Sequence, residues 1–155
     1  MSQAHIPQAL RTEAEIRFQG RCAYCLSPQA LMNVTFEVDH ILPEKEGGLT
    51  VSDNLAFSCP LCNGFKGART RGRDLGTGRD VPLFHPRRQN WFRHFRWAAD
   101  QQTVEGRTRS GRATVEALQL NNLNLLRLRT IWLAIGSTPP DWQTPQLVGL
   151  RRPAE

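Results

Sequence analysis

Four cysteines fall into two pairs, Cys22-Ala-Tyr-Cys25 and Cys59-Pro-Leu-Cys62. A Cys-x-x-Cys turn lets two thiolates face one ion, and two such turns complete a tetrahedron around zinc. Two disulfides or a redox pair are the competing readings. A redox motif needs only one pair, and disulfides are disfavoured in the reducing cytoplasm. That compartment is the expected one, because the first residues lack the basic start and apolar stretch of a secretory signal. A structural Zn²⁺ is therefore expected on Cys22, Cys25, Cys59 and Cys62. With four sulfur ligands its coordination shell is closed, so no chemistry is expected at that ion.

A second set lies between and just after the pairs: Asp39-His40, then Asn54, then Asn63, at intervals of 14 and 9. These residue types suit phosphodiester hydrolysis, which needs an activated water, neutralised phosphoryl oxygens and help for the leaving 3′ oxygen. A neutral imidazole, with an ordinary pKa of about 6.5, can take a proton from water near pH 7. A hard divalent cation such as Mg²⁺ or Mn²⁺, held by oxygen ligands, meets the other two needs. Asp39 and the amide oxygen of Asn63 are ligands of that kind. Each residue also has a plainer reading: a structural or exposed histidine, a turn or cap residue at Asn54, a helix N-cap at Asn63. Their interleaving with the cysteine pairs favours the catalytic reading. Lys66, one helical turn past Asn63, is either a phosphate contact or an ordinary solvated lysine.

These residues need a scaffold. Residues 8–19 read as a helix stopped by Gly20. Ser27-Pro28 can open a helical turn. Val34, Phe36, Val38 and Ile41 give residues 34–43 a strand pattern, interrupted at Asp39-His40 and closed by Pro43. Neighbours on a strand point to opposite faces, so the Asp-His pair would need a bulge or loop to cooperate. Gly47-Gly48 lies in a loop, Ser52 or Asp53 can cap a turn before Leu55, and CNGFKGART begins a helix. The Arg/Gly-rich stretch 69–90 reads as an ordered loop or flexible arm. WFRHFRW at 91–97 suits either a strand or a helix. Ser110 can cap a helix through RATVEALQL, and Asn121 or Asn122 another ending at Gly136.

Cys-x-x-Cys, Asp-His-Ile-x-Pro, Gly-Gly, Asp-Asn-Leu and Cys-x-x-Cys-Asn-x-x-Lys follow one another across residues 20–67. In that order they resemble the HNH endonuclease family, in the subgroup whose metal-binding hairpin is embedded in a four-cysteine zinc site. The resemblance implies an irregular hairpin, Asp39 and Asn63 on the catalytic metal, and His40 as general base. It gives Asn54 a structural role that helps orient His40. It also implies products ending in 5′-phosphate and 3′-hydroxyl. Many relatives carry His at the position of Asn63, and Asn there favours a hard ion. The RHFRW and GRATVEALQLN segments are similar to the C-terminal extension of some bacterial and phage HNH proteins.

The expected fold class is α+β: a ββα-metal HNH core with a structural zinc site, plus a mainly helical, basic C-terminal extension. The expected parts are an N-terminal helix at 1–19, the nuclease core at 20–68, the extension at 69–137 and a Pro-rich tail at 138–155. A segment of some 40 residues with one hairpin and one helix cannot bury enough surface to hold itself, which gives a zinc bolt its purpose.

Charge points to the partner. Residues 1–62 carry four basic and seven acidic side chains, net −3, whereas residues 63–155 carry sixteen and seven, net +9. Only Lys45 and Lys66 are lysines, and arginine's planar fork pairs bidentately with phosphate. Lys66, Arg69, Arg71, Arg73, Arg87, Arg88, Arg93 and Arg96 are the candidate contacts, mostly to backbone phosphate, with DNA as the expected partner and RNA as the alternative. A solvated basic surface is the competing reading. No apolar run is long enough to span a membrane. The helix at 121–135 is either core or the surface of a homodimer.

Overall fold

The computed structural model describes residues 5–136. Helix α1 (Gln8–Arg17) buries Ala14, and Phe18 just beyond its end is buried with it. The first cysteine pair follows in a tight turn, closed where the amide of Cys22 donates to Ser27 and that of Leu26 to Cys22. After Ser27-Pro28 comes one 3₁₀ turn, Gln29–Leu31. Strands β1 (Glu37–His40) and β2 (Leu55–Ser58) then pair antiparallel, Glu37 opposite Ser58 and His40 opposite Leu55. Their connection holds two 3₁₀ turns, Glu44–Glu46 and Ser52–Asn54. Helix α2 (Pro60–Lys66) starts on Pro60 at its first position, with Cys59 as the capping residue.

Two expectations are corrected here. The strand is shorter than 34–43, and it runs through Asp39-His40 without a bulge or break in register. The Val/Phe alternation upstream marks packing rather than pairing: Phe36 is buried against Phe57, while Val34 is exposed.

Beyond α2, the stretch expected as a loop or arm is a hairpin of β3 (Arg71–Asp74) and β4 (Arg79–Pro82). Turn chemistry sets it: the Asp74 carboxylate accepts from the Gly76 amide and the Thr77 hydroxyl, and Gly78 closes the turn at positive φ. WFRHFRW splits into α3 (Trp91–His94) and β5 (Phe95–Trp97), the latter paired with β6 (Val104–Gly106). Helix α4 (Arg109–Ala117) is capped by Thr108, not Ser110: Thr108 Oγ1 accepts from the Gly111 amide, while the Ser110 carbonyl accepts from Thr114 Oγ1. A side chain at Gly111 would strike the His94 carbonyl, 2.0 Å from a built Cβ, so glycine lets α4 approach α3. Helix α5 (Leu123–Ala134) is capped by Asn122. It buries Leu125, Arg129 and Trp132 and exposes Ile131, and Ile135 just past its end is exposed too. The expected tail at 138–155 lies outside the described residues.

One hydrophobic cluster runs from Ala14 and Phe18 through the cysteines and Phe57 to Trp91, Phe95 and Leu125. Trp91 is fully buried, and its indole N–H donates to the Tyr24 carbonyl at 2.9 Å. Burying a side chain of Phe size stabilises by about 1.5–3 kcal/mol. Trp91, Phe92 and Phe95 thus bolt the segment after β4 to the first cysteine turn, and base stacking by these three rings is ruled out by their burial. Among the described residues no helix is long and apolar enough to cross a membrane.

Candidate metal centre and active site

The two cysteine turns meet. The sulfurs of Cys22, Cys25, Cys59 and Cys62 all lie within 4.8 Å of one another and all four residues are buried. Cys25 and Cys59 sulfurs are 3.8 Å apart, and none of the four is in a disulfide. A tetrahedron with metal–sulfur bonds of about 2.3 Å has edges of about 3.8 Å, nearly twice a disulfide's ~2.05 Å. The set therefore fits one tetrahedral ion and excludes the two-disulfide reading. The sequence brings it about locally. The Ala23 amide donates to the Phe57 carbonyl, tying the first turn to β2, and the Cys62 amide donates to Cys59 Sγ at the start of α2.

Burial pushes the Cys22 thiol well above its ordinary range. Burial acts the same way on Cys25, but contacts with the Cys22, Cys59 and Cys62 sulfurs and the Ser27 hydroxyl, 3.1 Å away, outweigh it and hold that thiol low. Four buried sulfurs cannot all ionise without a cation among them. A second cation stands by: Arg129 of α5 is fully buried over the Trp97 ring, 5.3 Å from its centroid. Burial lowers its pKa, and the neighbouring Cys25, Cys62 and Cys22 sulfurs offset only part of that. Its Nη1 donates to Gln102 and Asn121, while Nε and Nη2 have no partner among the described residues. Nothing in the residue spacing singled out this arginine; a charge within an apolar helix pattern was the one available signal.

The hairpin's other metal candidates are oxygens. Asp39 and Glu37 share one face of β1, and α2 packs beside it. Asn63 donates through Nδ2 to the Glu37 carboxylate, which leaves its Oδ1 as the open acceptor. The Asp39 carboxylate has no hydrogen bond among the described residues. Its charge reaches Lys66, whose pKa burial lowers and Asp39 and Glu46 raise. Lys66 is only 4 % exposed and donates to the Ile41 carbonyl at 3.1 Å, so it is not a solvated surface lysine.

His40 leaves β1 on the opposite face and is nearly buried. Its Nε2 lies 2.9 Å from Thr50 Oγ1 and 3.4 Å from Glu44 Oε1. Neither partner was singled out from sequence, although Glu44 at i+4 was within reach. Asn54 clamps the loop that carries them: its Oδ1 accepts from the Leu42 amide, and its Nδ2 donates to the Leu42 and Leu49 carbonyls. Gly48 is required inside that clamp, since a Cβ there would sit 1.8 Å from the Leu42 carbonyl oxygen.

The arginines divide. Arg87 is not available to a phosphate: its side chain is fully buried, paired with Glu13 at 3.0 Å and donating to the Leu55 carbonyl at 2.7 Å. The local run of charge suggested a surface patch, but this guanidinium fastens α1 to β2. Arg69 is exposed and donates to the Phe65 and Ala117 carbonyls. Arg71 and Arg96 are exposed in ion pairs with Asp80 and Glu105. Arg73, Arg88 and Arg93 are exposed, with no side-chain hydrogen bond among the described residues.

A hairpin and helix stapled by two cysteine turns, with carboxylates and an imidazole on the hairpin, is the architecture of a small ββα metal module. Residues 22–69, just under a third of the chain, match the model of the HNH endonuclease family, and that stretch is an HNH domain whose clustered cysteines fit the four-cysteine subgroup. No curated protein and no solved structure matches the chain. The HNH domain is a nuclease-family and metal-binding module.

Proposed function

We propose that the protein is a metal-dependent endonuclease that hydrolyses phosphodiester bonds in DNA. The observation that supports this best is the His40 ring, buried and held at Nε2 where the hairpin ends, with Asp39 on the hairpin's other face, which it shares with Glu37, the partner of Asn63. The ribbon is two strands wide and β1 stops at residue 40, and on this reading the phosphate would sit across that end, between the two faces. The Lys66 contact at Ile41, one residue past the pair, joins that end to Asp39's surroundings.

Asp39 and the Oδ1 of Asn63 would hold a hard divalent cation, and the oxygen-only donor set suits Mg²⁺ or Mn²⁺. When bound, such an ion neutralises charge on the phosphoryl oxygens and eases departure of the 3′ oxygen. His40 does the proton work. With Nε2–H donating to Thr50 and Glu44, the lone pair sits on Nδ1, which accepts the proton of the attacking water. Water oxygen bonds to phosphorus, the bond to O3′ breaks, and O3′ takes a proton from solvent, so the strand ends in 5′-phosphate and 3′-hydroxyl. Glu44 and Thr50 are positioning residues, because they fix the tautomer and ring plane. Zinc on the four cysteines would supply shape only. Arg73, Arg88 and Arg93 steer the duplex by its phosphates.

The test is cleavage of supercoiled plasmid by the zinc-loaded protein with Mg²⁺ or Mn²⁺, followed by end-group analysis, with RNA digested alongside. Nicked circles bearing 5′-phosphate support the reading. An intact plasmid under every divalent ion, with DNA still bound, would make the chain a binding module instead.

A further inference from the structure

A cavity of about 590 Å³ opens beside the end of β1. The loop from Ile41 to Asn54 forms one wall, Pro82 to Gln89 forms another, and Lys66 of α2 reaches in between them. Its size falls inside the roughly 300–1,000 Å³ of ordinary ligand pockets. His40, Asp39 and Asn63 do not line it.

Its two kinds of lining have different chemistry. Leu42, Leu49 and Val51 are 39 %, 68 % and 45 % exposed, three aliphatic side chains left to water on one loop around one hollow. Pro82 and Leu83 face them. The loop is preformed by the Asn54 clamp and the close approach at Gly48. The charged lining is two cations, Lys66 and Arg88, against one acid, Asp53, and the His85 ring, whose pKa burial lowers, stands beside them. Lys66 is more than nine-tenths buried, and its ammonium has one hydrogen-bond partner for three protons. His85 Nδ1 accepts the amides of Arg87 and Arg88, so its proton sits on Nε2, a donor. Aliphatic side chains offer a face to a flat ring, and three donors offer a site to an anion.

We propose that this hollow seats one nucleotide of the substrate strand beside the scissile bond, with its base against Leu42, Leu49 and Val51 and its phosphate on Lys66, His85 and Arg88. The inference deepens the nuclease reading and rests on it for the identity of the occupant. Lys66 links the two sites, since it lines the hollow while standing within electrostatic reach of Asp39. Thr50, which holds His40, is flanked in the chain by two residues of the aliphatic wall.

The experiment uses the full zinc-loaded chain. Deoxyadenosine 5′-monophosphate, deoxyadenosine and inorganic phosphate are each titrated to millimolar concentration while backbone amides are followed by ¹H–¹⁵N NMR. The nucleotide should move the amides of residues 47–51 and 85–89 saturably, and more than either fragment does. Val51→Trp, at an exposed position with extended backbone, should fill the hollow and abolish those shifts with the rest of the spectrum retained. In plasmid nicking, Arg88→Ala should raise KM about tenfold with kcat within about twofold. Unmoved amides at 47–51 and 85–89 in wild type would overturn the proposal, as would shifts that persist in Val51→Trp. The two readings fail separately. Nicking without these shifts removes the nucleotide site and leaves the nuclease, whereas nucleotide shifts in a protein that never nicks keep the site and remove the catalytic reading.

Discussion

Four sulfurs at the root of the β1–β2 hairpin and two oxygen-bearing side chains, one on its face and one on α2, differ in element, burial and surroundings. The sulfurs are sealed in the hydrophobic cluster, mutually in contact, with a buried arginine nearby. Asp39 and Asn63 are half-buried on a strand and a helix, one without a hydrogen bond among the described residues and the other turned to Glu37 by a single amide proton. A closed soft site suits an ion that never leaves and never meets substrate. An open hard site suits one that shares its shell with phosphate and water. On the proposed reading, the difference separates folding from chemistry within the matched residues 22–69.

Substitutions that cross this line should behave differently. The largest effect is expected for Cys59→Ser, which removes a ligand and the cap of α2 at once. Structural zinc contributes about 10–16 kcal/mol to small zinc folds, as much as a whole domain's typical net stability of about 5–15 kcal/mol. Zinc content should fall and the cooperative melt should disappear, read by metal analysis and circular dichroism. Asp39→Ala should act on the other side only. Cleavage should drop at least a hundredfold, on the order expected for a lost metal ligand, while zinc content and melting temperature hold. A protein that loses zinc with Asp39→Ala would merge the two sites and break the comparison.

Smaller effects sharpen it. Thr50→Val keeps the side chain's shape and removes one partner of His40 Nε2. The kcat should fall about tenfold with KM unchanged, because a mispositioned imidazole takes the proton from water less efficiently. Arg129→Met tests the sulfur side with little disruption. Zinc transfer to a chelator should speed up, by about tenfold at most, as the thiolates lose their buried counter-charge. The melting temperature of the loaded protein should move little, since two unpartnered donors leave with the guanidinium.

Much of this was legible in the sequence, for physical reasons. Cysteine spacing encodes ligand geometry directly, so the sulfur cluster could be read without a fold. The order Asp39-His40, Asn54, Asn63 encoded the HNH match. The β3–β4 hairpin was hidden because Arg and Gly carry no strand signal; Asp74 and its turn, with Arg112 of α4 bidentate on its carboxylate, hold it instead. The unbroken register at Asp39-His40 was hidden too, because pairing with β2 is a long-range fact. Arg87 and Arg129 show the general limit. Charge counts cannot tell a phosphate contact from a buried guanidinium that ties elements together.

The central claim is that His40 moves the proton while the cysteines hold the shape. It is tested most directly by His40→Ala, assayed for plasmid nicking in Mg²⁺ and in Mn²⁺ with zinc measured on the same sample. A loss of about 10²–10⁴-fold in rate is expected for a removed general base, with one zinc per chain retained. Nicking at the wild-type rate by a folded, zinc-loaded His40→Ala protein would contradict it.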